Sequence, residues 1–207
     1  MNLVEDVFRA YGFTPFKPPP VEYTSEASTV AIASAFEGVP TCVSLPEIHE
    51  QSIALFVHRK HKEITFPDKR ACIGHCYRAQ GPVCLASVSV VSLQLRPIDT
   101  LDCVSATLNA LKVLEVPDLV VRMQRVADCV LGCSKEACIC ELLNEKFVGM
   151  QATLEEGKSS VFSVFSQGKE IISSRRFDEL LPVSCKLQGL CVTINLSELQ
   201  AKGSVHE

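Results

Sequence analysis

The sequence predicts an α+β fold in which antiparallel β-meanders precede and follow a central block of about three helices. Three observations lead there. Val83 to Leu95 (VCLASVSVVSLQL) is a long apolar run with the composition of a strand. At Pro97 and Asp99 the apolar spacing switches to the helical period and keeps it to about Phe147. On either side of that block, short β-branched runs alternate with Gly, Pro and charged turn residues, as in hairpins rather than βαβ units.

Taken in order, Leu3, Val4, Val7, Phe8 and Tyr11 lie at helical spacing and predict a short amphipathic helix stopped at Gly12. TPFKPPPV follows, and its three consecutive prolines favour an extended polyproline spacer. Residues 1–25 therefore read as an arm, 26–200 as one α+β domain and 201–207 as a frayed tail. An apolar helix this short needs a surface to pack on. The expected surface is another chain, with Leu3, Val4, Val7, Phe8, Tyr11 and Phe16 as its contacts, and the alternative is that the helix folds back on its own core.

Strands are expected at TVAIASAF, TCVSL, SIALFVH, EITF and ACIGHCY, with His58 to Lys62 forming the tip of a hairpin. After the long strand, Asp99 or Thr100 is expected to cap a helix with Leu101, Val104, Leu108, Leu111 and Leu114 inward. Asp118 is expected to cap a second helix ending at Gly132, and Ser134 to start a third that turns Ile139, Leu142, Leu143 and Phe147 inward. Strands return at MQATL, SVFSVFS and EIISS, with a tight turn at Gln167-Gly168. One helical turn is expected within Arg175 to Leu181, ahead of Pro182. VSCKL and LCVTINL then read as a hairpin about Gln188-Gly189, and Ser197 as the cap of a short last helix.

Composition bounds the function. With 207 residues, 47% of them hydrophobic and 21% charged, the chain is long and apolar enough to bury a core, which excludes a disordered protein. Gln94, Arg96 and Asp99 interrupt the longest apolar run before it reaches the length of a membrane span. Glu5 and Asp6 stand where a secretory leader would be basic, so a reducing intracellular compartment, cytoplasmic or nuclear, is expected. The 11 cysteines are an odd number set mostly in apolar patterns, and most of them accordingly read as buried thiols rather than disulfides.

Chemistry-bearing patterns are few. Cys72 and Cys76 in CIGHC, with Cys129 and Cys133 in CVLGCSKEACIC, are the residue types zinc takes, yet neither segment has two-residue knuckle spacing. No metal or cofactor is expected, and these four cysteines are the set a zinc site would use. His75 beside Cys76 falls on the opposite strand face, which argues against a thiol–imidazole pair. There is no GxSxG, HExxH, phosphate loop or strand-following GxGxxG.

The net charge of −4 includes one basic segment, 58–78, with six basic and two acidic residues. Arg59, Lys60, Lys62, Lys69 and Arg70, on an expected hairpin spanning 58–70, are its candidate contacts for nucleic acid or an acidic partner. The sequence thus points to a non-catalytic protein-interaction subunit of a larger assembly, with other subunits or a second copy as partner. A nucleic-acid-binding module and a zinc-stabilised or thiol-dependent enzyme are the alternative readings.

Overall fold

The computed structural model describes residues 2–18, 22–23, 31–33, 42–44, 48–78, 81–125, 141, 143–147, 151–156 and 162–203. Among them, helix α1 (Asn2–Ala10) leads into strands β1 (Thr14–Pro15), β2 (Glu22–Tyr23), β3 (Ala31–Ala33) and β4 (Cys42–Ser44). Helix α2 (His49–Lys60), strands β5 (Asp68–Arg78) and β6 (Gly81–Ser92), helix α3 (Pro97–Val113) and strand β7 (Leu119–Arg125) follow. Strands β8 (Gln151–Glu156), β9 (Phe162–Ser166), β10 (Lys169–Arg176) and β11 (Gln188–Asn195) complete the sheet, and helix α4 (Leu196–Gly203) closes the described chain.

Eight strands form one mixed sheet in the order β1-β5-β6-β11-β10-β9-β7-β8, beside a small sheet of β2-β4-β3. The outermost pairs, β1 with β5 and β7 with β8, are parallel, and the strands between them antiparallel. Gln167 and Gly168 both adopt positive φ, 52° and 77°, the mirror-image turn whose twist suits a two-residue hairpin between β9 and β10. The α+β class is therefore as expected, whereas a strand, β7, stands where the second helix of the central block is expected to begin.

The first helix of that block is α3. It begins at Pro97, and the buried Asp99 carboxylate accepts the Arg96 backbone N–H at 2.9 Å and its guanidinium at 3.0 Å. A negative charge in the first turn complements the helix dipole. The segment expected as the second helix is instead strand β7 as far as Arg125. Asp118 has φ 52°, which no helix cap of the usual extended kind adopts, and the β-branched Val120 and Val121 suit a strand. Of the third helix, residues 143–146 are helical, with Leu143 and Phe147 buried; Ile139 and Leu142 lie outside the described residues.

Two of the expected early strands are also corrected. SIALFVH belongs to α2, whose buried His49, Glu50, Ile53, Ala54 and Val57 form a helical stripe, and EITF carries no strand. Likewise VSCKL forms a 3-10 turn at Val183–Cys185, and β11 pairs with β6 and β10 rather than with it. The helical turn ahead of Pro182 is there, as a 3-10 turn at Asp178–Leu180.

Two apolar layers cover the large sheet. On one face α1, α3, α4 and residues 143–147 bury Val4, Phe8, Val104, Leu108, Leu111, Leu143 and Phe147 against Ala86, Val88, Val90, Val192 and Ile194. On the other, α2 lays Ile53, Ala54 and Val57 on Val91, Phe177, Leu181, Leu187 and Cys191. Each such aliphatic side chain contributes roughly 1.5–3 kcal/mol when fully buried. Residues 2–16 therefore do not reach outward. α1 lies on α3, Val4 and Phe8 are inside the core, and the Phe16 N–H bonds the Ala71 carbonyl at the sheet edge at 2.7 Å. The physical reason is α3 itself, which buries the small residues Cys103, Ala106 and Ala110 as well as Leu108 and Leu111 and so offers more than one apolar face.

Candidate functional site

Side chains alternate across a strand, so the register decides what shares a face. On β5, Lys69 meets Asp102 of α3 at 2.5 Å, while Arg70 stacks 4.7 Å from the Phe56 ring of α2. Arg70, Cys72, Gly74 and Cys76 therefore face α2. Pairing places Cys72 opposite Ser87 and Ser87 opposite Thr193, forming one row across β5, β6 and β11. Arg70, Ser89 and Cys191 form the next. The centre of this face is thus made of hydroxyls and thiols, set in a sheet that is otherwise aliphatic.

His49, the first residue of α2, sits over these rows. Its Nδ1 lies 2.8 Å from Ser87 Oγ, and Ser87 Oγ lies 3.0 Å from Thr193 Oγ1, so the imidazole and two hydroxyls form one chain of hydrogen bonds. A methyl group on Gly74 would come within 3.9 Å of His49 Nε2, so the ring lies over bare strand backbone. Nε2 has no hydrogen-bond partner among the described residues, nor do the buried hydroxyls of Ser52 and Ser89. Burial lowers the His49 pKa to about 4, leaving the ring neutral at physiological pH. Burial, with Cys76 adding to it, pushes the Cys72 thiol well up. Burial, with Glu50 beside it, does the same to Cys191. Protonated thiols are poor nucleophiles and poor metal ligands.

The residues singled out in the sequence fall in several places. Val4 and Phe8 are core, Val7 and Tyr11 half-buried, and Phe16 packs on Phe56 with ring centres 5.4 Å apart; of the six, Leu3 alone is largely exposed, at 63%. Asn109 and Lys146 both donate to the Tyr11 hydroxyl. Arg59, Lys60 and Lys62 lie at the C-terminal end of α2 rather than on a hairpin tip, where cations complement the dipole, and Lys60 pairs with Glu63 at 2.9 Å. Lys69 and Arg70 are separated from them and from each other, on opposite faces of β5. Lys69 is tied to Asp102, and Arg70 binds Asp68 at 2.9 Å.

Cys72 and Cys76 share a face of β5, but four residues of strand set them about 13 Å apart, beyond one tetrahedral ion. Cys129 and Cys133 lie outside the described residues. Sequence reasoning missed His49, Ser87, Ser89 and Thr193. The signal present was Ser87 and Ser89 alternating within an apolar run.

No family model and no curated protein matches the sequence. Solved structures match the fold. The apo histidyl-tRNA synthetase of S. aureus superposes with a TM-score of 0.76 at 12% identity, over 97% of this chain and 63% of that one. The fold is histidyl-tRNA synthetase-like. An ATP phosphoribosyltransferase regulatory subunit/histidyl-tRNA synthetase from Bacillus halodurans C matches with a TM-score of 0.74 at 13% identity, covering 100% of this chain and 78% of that one. A chain of the ATP phosphoribosyl transferase (HisG:HisZ) complex from Thermotoga maritima matches with a TM-score of 0.72 at 10% identity, covering 94% and 95%. This chain thus spans less than two thirds of the S. aureus synthetase and nearly all of the matched Thermotoga chain. Identities this low carry the architecture and not the activity.

Proposed function

We propose that this chain is a non-catalytic subunit of a protein assembly, built on a histidyl-tRNA synthetase-like fold. The observation that supports it is the centre of the α2-facing sheet, where Arg70 is already paired with Asp68 and the imidazole over the strands is neutral. Chemistry on phosphate esters depends on cations aimed at the charge that develops in the transition state. Here the described centre offers hydroxyls, protonated thiols and a neutral imidazole, and Arg70 is engaged by Asp68 and the Phe56 ring. Similarity to an ATP phosphoribosyltransferase regulatory subunit/histidyl-tRNA synthetase and to a chain of the HisG:HisZ complex fits a subunit reading. The partner on this reading is a catalytic protein chain whose turnover the subunit modulates.

Two measurements on the native assembly test it. The chain should purify in fixed stoichiometry with that catalytic chain, and adding it back to the stripped partner should change the partner's turnover. Migration as a lone 22.6 kDa species in native extract, with no effect on any co-purifying activity, would contradict the proposal.

A further inference from the structure

We infer that the N-terminal half of α2 is held on the sheet by a proton-sensitive catch, the uncharged His49 imidazole seated on Gly74 and bonded to Ser87, and that acid releases it. The geometry leaves a second ring proton nowhere to go. His49 is 1% exposed, its Nδ1 is already engaged with Ser87, and its Nε2 lies over strand backbone without an acceptor among the described residues. A protonated ring donates from both nitrogens, so charging it in place leaves a buried cationic N–H unpaired. Swinging α2 outward lets water take that proton instead.

The titratable groups on the elements packed around His49 do not supply the missing acceptor. On β5 and β11, Cys72, Cys76 and Cys191 share the face; burial keeps the Cys72 and Cys191 thiols protonated through the acid range. On β5, Asp68 is already bound to Arg70, and β6 contributes only hydroxyls. On α2 itself, Glu50 follows His49 and is buried beside Cys191. Release would uncover Ser87 and Ser89, both fully buried in the closed structure.

The sign follows from linkage. A ring whose pKa falls from 6.5 to about 4 on closure binds fewer protons closed than open, so closure is undisturbed above pH 6.5 and weakens progressively down to about pH 4. Between pH 8 and pH 5 the open fraction should rise about 30-fold. Hydrogen exchange of the full chain, corrected for intrinsic rates, reads this directly. Amides of Ile53 to Val57 should lose about 30-fold in protection, while those of Val104 to Leu111 in α3 change less than threefold. His49→Gln keeps a Ser87 hydrogen bond and Glu50 but removes the titrating ring, and should abolish the pH response. Unchanged α2 protection, or α3 amides moving in step with α2, would overturn the catch. Should the variant fail to fold, the wild-type ring decides by NMR. An imidazole still neutral at pH 5.5 in the closed state supports the catch, and one titrating near 6.5 without loss of α2 protection overturns it.

Discussion

Gly189→Ala is the substitution for which the structure gives the sharpest expectation. A Cβ built there would lie 2.7–2.8 Å from three atoms of the Phe177 ring, inside any real carbon–carbon contact. Phe177 is fully buried in the α2-side layer with Leu181, Leu187 and Cys191, so its ring has little room to yield. The backbone has no slack either. The Gly189 carbonyl accepts the Phe177 N–H at 3.1 Å, and its own N–H donates to Asp178 Oδ1 at 2.7 Å.

Overpacking of this kind costs about 1–3 kcal/mol, and the tight hydrogen bonds on both sides place this site toward the upper end. Urea unfolding of the purified chain measures it. Phe177→Leu in the alanine background should recover part of the loss, since a smaller side chain makes room for the methyl; a double-mutant cycle then gives a coupling of about 1 kcal/mol. A cost below half a kcal/mol, or no coupling to position 177, would refute the packing of Phe177 on β11.

The other expectations concern the opposite layer. Phe8→Ala should cost about 3–5 kcal/mol, because α1 is core rather than an outreaching arm, and an unchanged melting temperature would return it to solvent. Leu108→Ala should cost about 2–5 kcal/mol by the same measurement. Asp99→Asn should lower stability by about 1–2 kcal/mol at neutral pH through the lost cap and ion pair. Burial opposes ionisation of Asp99, but the hydrogen bonds and charge of Arg96 outweigh it and hold its carboxyl below the usual range. Its contribution is therefore present above about pH 3.8 and lost as pH falls below that, so wild type and variant should converge in strong acid.

What the sequence showed depended on whether a pattern was local. α3, β5, β6, β9 and β10 were legible because period and turn chemistry lie within each segment. α2 was misread because SIALFV is rich in β-branched and aromatic residues, although His49, Glu50, Ile53, Ala54 and Val57 carry the helical spacing. β7 was misread because Asp118 resembles a cap in sequence while its positive φ rules one out. The stripe on α1 was evident, but where it lands depends on a second apolar face of α3 that a single-face reading overlooked.

The candidate site was the least legible part. It exists only once β6 pairs with β11, about a hundred residues later, and brings Ser87 beside Thr193. No local signal sets that register.

The central proposal is that this chain is a non-catalytic subunit, and amino-acid-dependent exchange of pyrophosphate into ATP by the purified full chain tests it most directly. With Arg70 held by Asp68 and a neutral imidazole over the sheet centre, the account predicts exchange at the protein-free background for histidine and for a mixture of all twenty amino acids, with magnesium present. Exchange above that background, lost in Arg70→Ala or His49→Gln, would contradict it.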